Sequence, residues 1–149
     1  MLAGLTIDKW VQVREGLLAT IDKFSDQELS FRTPDGRAVA EIMLHIAHEE
    51  AIEVSYAVTR DLSAFPDAYN AHDYATRQSI VAVLSGVHEP TLVYLRAVSD
   101  ADLLAELELP WGQKSRALDM LWHALEHEVH HRAELSFVLG MLGREGLDA

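Results

Sequence analysis

The sequence predicts an all-α fold, a four-helix bundle, on three observations. Apolar residues recur every three or four positions over four long stretches, which is the period of an α-helix. The 8 glycines and 4 prolines are few among 149 residues and cluster between those stretches. There is little of the alternation between apolar and polar residues that marks strands. Because 149 residues suit one ordinary domain, we expect a single domain over residues 1–149.

The helical spacing of apolar residues predicts the first two helices. The first is expected from Thr6, which can serve as its N-cap, to Phe24. The segment 30–37 contains a Pro and an Asp-Gly pair and predicts a loop. The second helix is expected from Ala38 to Asp61 and is apolar on two faces, which is typical of a helix packed between neighbours.

The second half of the chain predicts two more long helices. The third is expected from about Asn70 to Val98, with a kink at Pro90, because proline lacks the N–H that continues the helix. Residues 99–113 predict an irregular segment with a short helical turn or a hairpin. The fourth helix is expected from Ser115, as N-cap, to Leu142, with Gly143 just past its end.

The composition excludes several function classes. Lys and Arg total 12 against 24 Asp and Glu, so the net charge of -12 repels nucleic acid and anionic membranes. No apolar run approaches the roughly 20 residues of a membrane helix. Without cysteine the chain has no disulfide and no thiolate of its own. The first ten residues, MLAGLTIDKW, do not resemble a signal peptide, so we expect a cytoplasmic protein.

The fourth helix carries two histidines on its apolar face. On a helical wheel, His127 and His131 fill a gap in the apolar stripe that passes through Ala124. His123 lies at the edge of the stripe, and His130 turns further towards solvent. Two imidazoles four positions apart on one helix face can share a metal ion, although packed or solvated histidines are the alternative interpretation.

The second helix repeats this arrangement. His45 interrupts its apolar stripe, and His48 lies about one turn further on, towards the edge. Helical bundles commonly build metal sites from side chains on facing helices. Three neutral imidazoles would bind zinc, nickel, copper or iron(II) and leave coordination positions for water or a substrate.

Other polar residues near these stripes are candidates for orienting the ligands or for acting in catalysis. In the alternative interpretation, these residues lie on the solvated rim of the bundle and have no role in a site. They are His48, Glu49, His123 and Glu128. The remaining histidines, His72 and His88, are expected at the surface or at helix ends.

One segment also spells a peptidase motif. The letters HEVHH match the HExxH of zinc peptidases, in which Glu128 would be the general base. Such an enzyme needs a further ligand downstream, yet no histidine follows His131. We therefore interpret the match as a coincidence within a histidine-rich helix.

The segments WHALEHEVHHRAEL and VLGMLG resemble the closing helix of the DinB/YfiT-like superfamily. EIMLHIAHEEA is similar to the family's second-helix motif, and LPWGQKSRALDMLWH to the lead-in to its last helix. The resemblance implies a bundle of up-down-down-up topology with a divalent metal ion on His45, His127 and His131. Ala133 and Glu134 stand where the family often has Gly and Gln. We expect Glu134 to lie outside the ligand face and to leave the metal site unaffected.

The resemblance also implies a range of activities. Some family members transfer or isomerise groups with thiols such as bacillithiol or mycothiol, and others are metal-dependent hydrolases. We expect a thiol S-transferase that uses a divalent metal, a low-molecular-weight thiol cosubstrate and a small-molecule substrate. Zinc or nickel is the expected metal, with iron, manganese and copper as alternatives. A hydrolase and a non-catalytic metal-binding or small-molecule-binding stress-response protein remain alternative functions.

A second apolar stripe on the second helix predicts a homodimer. It comprises Met43, Ala47, Val54 and Val58. In the alternative interpretation, the loops and the third helix cover this stripe within one chain.

Overall fold

The computed structural model describes residues 1–145, and residues 146–149 of the expected domain lie outside the described part. The fold is all-α, as predicted. The helices are α1 (Leu2–Asp22), α2 (Val39–Thr59), α3 (Arg77–Ala97), the short α4 (Asp100–Leu104) and α5 (Ala117–Met141). Strands β1 (Glu106–Glu108) and β2 (Lys114–Arg116) form an antiparallel hairpin. Within residues 1–145, no helix has both the length and the apolar character needed to cross a membrane.

The four long helices form a bundle in which α1 and α2 each pack against both α3 and α5. Helices α1 and α5 run parallel, because residues early in one contact residues early in the other. The Trp122 indole donates to Thr6 Oγ1, and further along both helices in the same direction the Trp10 indole donates to Glu128.

Helices α2 and α3 run in the opposite direction to α1 and α5. Arg37, just before α2, forms an ion pair with Glu134 near the end of α5. Arg77, the first residue of α3, donates to the carbonyl of Asp22, the last residue of α1. These contacts give the up-down-down-up topology that the resemblance implied. Since α2 and α3 are parallel neighbours, the connection 60–76 returns along the length of the bundle. It contains two 3-10 turns, Leu62–Ala64 and Ala71–Asp73.

Several predicted helix ends were wrong for local reasons. Helix α1 begins at Leu2, and Thr6, predicted as its N-cap, donates from within the helix to the Leu2 carbonyl. Asn70 caps a 3-10 turn, and Thr76 caps α3 by accepting from the Ser79 amide. Residue 115, predicted as the cap of α5, lies in β2 instead.

The segment 99–113 contains both features that were expected as alternatives. Ser99 caps the short helix α4, and the hairpin follows directly, its turn closing at Gly112 with a φ of 85°. Helix α3 continues across Gly86 and through Pro90. Helix α5 ends at Met141, one residue before the predicted Leu142, and Gly143 follows the C-cap at a φ of 77°.

The stripe predicted as a dimer face lies inside the bundle. Met43 and Ala47 are fully buried in the main core with Ile80 and Leu84 of α3. Of the four residues in the stripe, Val58 alone is exposed. The stripe therefore stabilises the packing of α2 against α3, and it cannot be the contact surface of a dimer.

Candidate metal centre

Three histidines converge between α2 and α5. The Nε2 atom of His127 lies 3.0 Å from Nε2 of His45 and 3.0 Å from Nε2 of His131. The i, i+4 spacing stacks the two α5 imidazoles on one face, and the antiparallel helix α2 brings His45 opposite them. The structure thus brings together the three residues that the sequence placed inward.

The arrangement fits one metal ion. Two nitrogens about 2.0–2.1 Å from a common zinc ion lie about 3.0–3.4 Å apart at bond angles of about 90–110°. A neutral imidazole carries a single N–H, so three clustered Nε2 atoms cannot all be satisfied by hydrogen bonds to one another. Nδ1 of His127 is also buried and has no hydrogen-bond partner among residues 1–145. An ion bound by the three Nε2 lone pairs would account for the convergence.

The electrostatics keep the cluster in the form that binds metals. Burial, followed by the neighbouring His131 and His45, lowers the pKa of His127 to about 3. Burial and the proximity of His131 also lower the pKa of His45. These imidazoles are therefore neutral at neutral pH, with lone pairs available for coordination.

The burial of the ligands is graded, which leaves one side of the site open. His131 is buried at 5% exposure, His127 is half-buried and His45 is exposed. A small molecule can therefore reach the cluster from the side of His45.

Glu134 belongs to this site, contrary to the sequence-based expectation. Its Oε2 lies 2.6 Å from Nδ1 of His131, and its other oxygen pairs with Arg37. Ligating histidines usually donate their second N–H to a carboxylate, which orients the ring. Glu134 follows His131 by three positions on the helix, so this i, i+3 spacing was a usable signal.

Glu128, which the sequence offered as a residue that orients a ligand or acts in catalysis, points away from the histidines. Its carboxylate accepts from the Trp10 indole at 2.9 Å and from Arg14 at 2.8 Å, and it is 1% exposed. Successive helix residues differ by about 100°, so Glu128 faces α1 while His127 faces α2. The structure therefore assigns Glu128 to a buried network between α1 and α5.

The buried network includes a histidine that was wrongly predicted at the surface. His88 is 7% exposed, and its Nδ1 lies 2.8 Å from Oε1 of Glu50. Arg14 joins the Glu50 and Glu128 carboxylates, because it donates a hydrogen bond of 2.5 Å to Glu50 and one of 2.8 Å to Glu128. Burial alone would raise the pKa of Glu50, but the His88 hydrogen bond and the Arg14 charge lower it overall. His72, by contrast, is exposed as predicted.

Arg14 and Glu50 did not appear among the candidates from sequence. Both are charged residues within otherwise apolar helical stripes, which was the available signal. Their pairing could not be found from spacing, because it joins two different helices.

The remaining candidates divide between two places. The His48 imidazole lies 2.9 Å from the carbonyl of Pro66 and contacts the connection between α2 and α3. Glu49 and His123 lie together with Glu53, which sequence analysis missed, and one ligand atom from each falls within 4.8 Å of the other two. Nδ1 of His123 is 2.8 Å from Glu53. This second group adjoins the three histidines, since the rings of His123 and His127 are 6.5 Å apart.

Another set of possible ligands overlaps the three-histidine cluster. His130, His131 and Glu134 also have ligand atoms within 4.8 Å of one another. This set excludes His45 and His127, so it would leave the convergence of the three Nε2 atoms unexplained. The geometry therefore favours His45, His127 and His131 as the ligand set.

Comparison with known families agrees with the fold and with the sequence motifs. The sequence model of the DinB superfamily matches residues 9–135. The chain belongs to the DinB superfamily. No curated protein matches the chain significantly.

Solved structures show the same fold. A DinB-like protein from Bacillus subtilis superposes with a TM-score of 0.79 at 18% identity, covering 97% of this chain and 96% of that one. A DinB-like protein from Bacillus cereus gives a TM-score of 0.73 at 18% identity, covering 97% and 95%. A conserved protein from Enterococcus faecalis gives 0.70 at 17% identity, covering 90% and 92%. At these identities the similarity establishes the fold alone.

Proposed function

We propose that this DinB-superfamily protein is a metal-dependent enzyme that binds one divalent ion through His45, His127 and His131. The convergence of their three Nε2 atoms, with neighbouring atoms 3.0 Å apart, carries the proposal. Three imidazoles and an open side match the ligand pattern of catalytic zinc sites, in which a position is left for water or substrate. Zinc or nickel is the first expectation, and an all-imidazole donor set also accepts copper or iron.

The reaction we propose is transfer of a thiol to an electrophile. An ion bound here supplies Lewis acidity that lowers the pKa of a coordinated thiol or water. The chain has no cysteine, so a low-molecular-weight cosubstrate must provide the thiol. The thiol loses its proton, its sulfur attacks the electrophilic carbon, and the displaced group leaves with the bonding electrons.

The protein's own residues have distinct parts in this proposal. Glu134 orients His131, and the exposed side of His45 admits the substrates. The Glu53 carboxylate at Nδ1 of His123 favours the tautomer whose Nε2 is free to accept a proton. His123 is therefore the candidate general base.

Metal analysis tests the site directly. Protein purified without a histidine tag should contain about one equivalent of a late first-row metal. His45→Ala and His127→Ala should each lose it, whereas His72→Ala, a change at an exposed histidine outside the three ligand sets, should keep it. Full retention of metal in the combined alanine variant of all three ligands would refute the site.

Single variants also separate the three possible ligand sets. His45→Ala affects the three-histidine set alone, His130→Ala the set with Glu134, and His123→Ala the set with Glu49 and Glu53. Loss of metal with His130→Ala or His123→Ala, but not with His45→Ala, would move the ion to the corresponding set.

Activity measurements test the reaction. Chloro-dinitrobenzene and epoxides should be consumed in the presence of bacillithiol, mycothiol or glutathione, and His127→Ala should abolish the turnover. Metal-dependent ester or amide hydrolysis without a thiol would instead identify the hydrolase. Metal binding without turnover of either kind would favour a non-catalytic metal-binding or small-molecule-binding protein of the stress response.

Cytoplasmic location and homodimer formation are further proposals. The acidic, cysteine-free composition supports the first. Homodimer formation stays a prediction, whose surface must lie outside the buried stripe of α2. Light scattering at micromolar concentration checks it, and the mass of a single chain would contradict it.

A further inference from the structure

A cavity of about 410 Å³ is lined by His123, whose ring centroid lies 6.5 Å from that of His127. It lies between α2, the hairpin, the start of α5 and the connection after α2. Its walls are mainly apolar, and its volume falls in the range typical of small-molecule sites. The main apolar wall residues are Tyr56, Phe65, Leu109, Trp111 and Met120.

The side of the cavity that adjoins the histidines carries carboxylates. Glu49, Glu53 and His123 line it, and the rings of His123 and His127 are 6.5 Å apart. The Glu53 side chain is 13% exposed, and burial raises the pKa of its carboxyl despite the hydrogen bond to His123, so a cation bound beside it would stabilise its charged form. A molecule that fills the cavity can therefore contact these carboxylates and still extend to the metal ligands.

The charge of the described cavity lining is predominantly negative. No Lys or Arg is found among its described lining residues. Asp119, the third carboxylate in the lining, is paired with Arg116 at 2.6 Å. Glu49 and Glu53 thus have no Lys or Arg beside them in the described lining, and their potential attracts a cation and repels an anion.

We propose that this cavity binds the electrophilic substrate, and that this substrate is an amphiphilic organic cation. Its apolar part packs against the cavity walls, and its ammonium or amine group lies at Glu49 and Glu53. The role as substrate rests on the proposed function, whereas the ligand class rests on the cavity itself. Thiols that carry carboxylates, as glutathione does, are repelled by the same residues. The cavity therefore suits the electrophile better than the thiol.

Three probes of equal length test the ligand class by calorimetry. Phenylbutylamine, phenylbutanol and phenylbutanoate share the phenyl ring and a four-carbon chain, and their polar ends are cationic, neutral and anionic. The amine should bind about tenfold more tightly than the alcohol, and the carboxylate more weakly than both, because the carboxylates are only partly screened by water.

Variants assign the charge preference to these residues. The double variant Glu49→Gln with Glu53→Gln should bind amine and alcohol alike. Glu15→Gln, which removes the same charge from an exposed position on α1, should keep the preference. Equal affinity of the wild type for amine and alcohol, or no binding of any probe, would overturn the proposal.

Two controls distinguish organic-cation binding in the cavity from metal binding at the three histidines and from binding of a second metal ion at the carboxylates. His127→Ala should lose the metal and keep the preference for the amine, so the failure of one proposal leaves the other testable. If the wild type binds a second equivalent of zinc that displaces the amine and is lost in Glu49→Gln, the carboxylates are a metal site. That result would also overturn the organic-cation proposal.

Discussion

At the scale of single residues, each imidazole has a distinct environment that suits its part in the cluster. His131 is buried and held by Glu134, which orients its ring. His127 stands between the other two, and His45 is exposed at the open side. The most deeply buried of the three proposed ligands is thus the one that a carboxylate holds, and the exposed one lies at the open side of the cluster.

Glu134→Gln should weaken metal binding about 10–100-fold, because an amide orients and polarises His131 less well than a carboxylate does. A competition titration with a chromophoric chelator measures the affinity. Glu126→Gln, an exposed change on the same helix, is the matched control and should leave the affinity unchanged. Equal affinities for the wild type and Glu134→Gln would show that the His131–Glu134 contact has no influence on the metal.

The metal-free protein should lose stability as the pH falls from about 6.5 towards 3. In the folded state the pKa of His127 is lowered to about 3 by burial and by the neighbouring histidines, against an ordinary value of 6.5. Between these values the unfolded chain binds a proton that the folded chain does not, so acid favours unfolding.

Urea unfolding of the chelator-treated protein at about pH 7 and about pH 5 measures this effect. The variant His127→Gln cannot bind that proton and should show a smaller loss between the two values. An equal loss in both proteins would exclude His127 as a source of the pH dependence.

At the scale of secondary-structure elements, α5 serves two sites because it has two polar faces. His127 and His131 face α2, while Glu128 faces α1 and bonds with Arg14. Arg14 also reaches Glu50, so α1, α2 and α5 are tied together close to the metal ligands. This network sets how the helices that carry the ligands lie relative to one another.

Arg14→Met should lower the free energy of unfolding by about 3–5 kcal/mol, because it leaves two buried carboxylates without their cation. Chemical denaturation measures the change. Arg116→Met breaks an exposed ion pair with Asp119 and should change stability little. Similar losses in the two variants would contradict a special role for burial in the Arg14 network.

At the scale of the whole molecule, the topology makes the site possible. The up-down-down-up order places α2 beside α5 in antiparallel orientation, so His45 meets histidines more than eighty residues away in sequence. The connection after α2 supplies Phe65 to the adjoining cavity, and the hairpin supplies Leu109 and Trp111. The candidate site and its cavity thus draw on elements from both halves of the chain.

Removal of the proposed metal should destabilise the whole bundle, because an ion on the three histidines would bridge α2 and α5. A ligand held at about 100 times its dissociation constant stabilises the folded state by about 2.7 kcal/mol. Addition of a chelator should therefore lower the melting temperature of the wild type. His45→Ala should melt at the same temperature with and without chelator, and a chelator effect of equal size in this variant would place the ion elsewhere.

The sequence by itself determined the features that depend on local periodicity. The helical period predicted the four long helices and the side of α5 that carries His127 and His131, because the rotation per residue follows from backbone geometry alone. It also predicted His45 on the side of α2 that meets them, although His45 is exposed in the structure and not inward. The motifs around these histidines pointed to the DinB superfamily, which the family match over residues 9–135 confirms. Helix ends were less predictable, since Thr6 and Ser115 are suitable caps that the chain does not use.

Only the tertiary structure decided which residues meet across helices. It directs Glu128 to Arg14, buries His88 against Glu50 and covers Met43 with α3. A helical wheel shows which residues share a face, but it does not show which neighbouring helix that face meets. Those pairings follow from the packing of all the helices at once, because each buried charge must find its partner on another part of the chain.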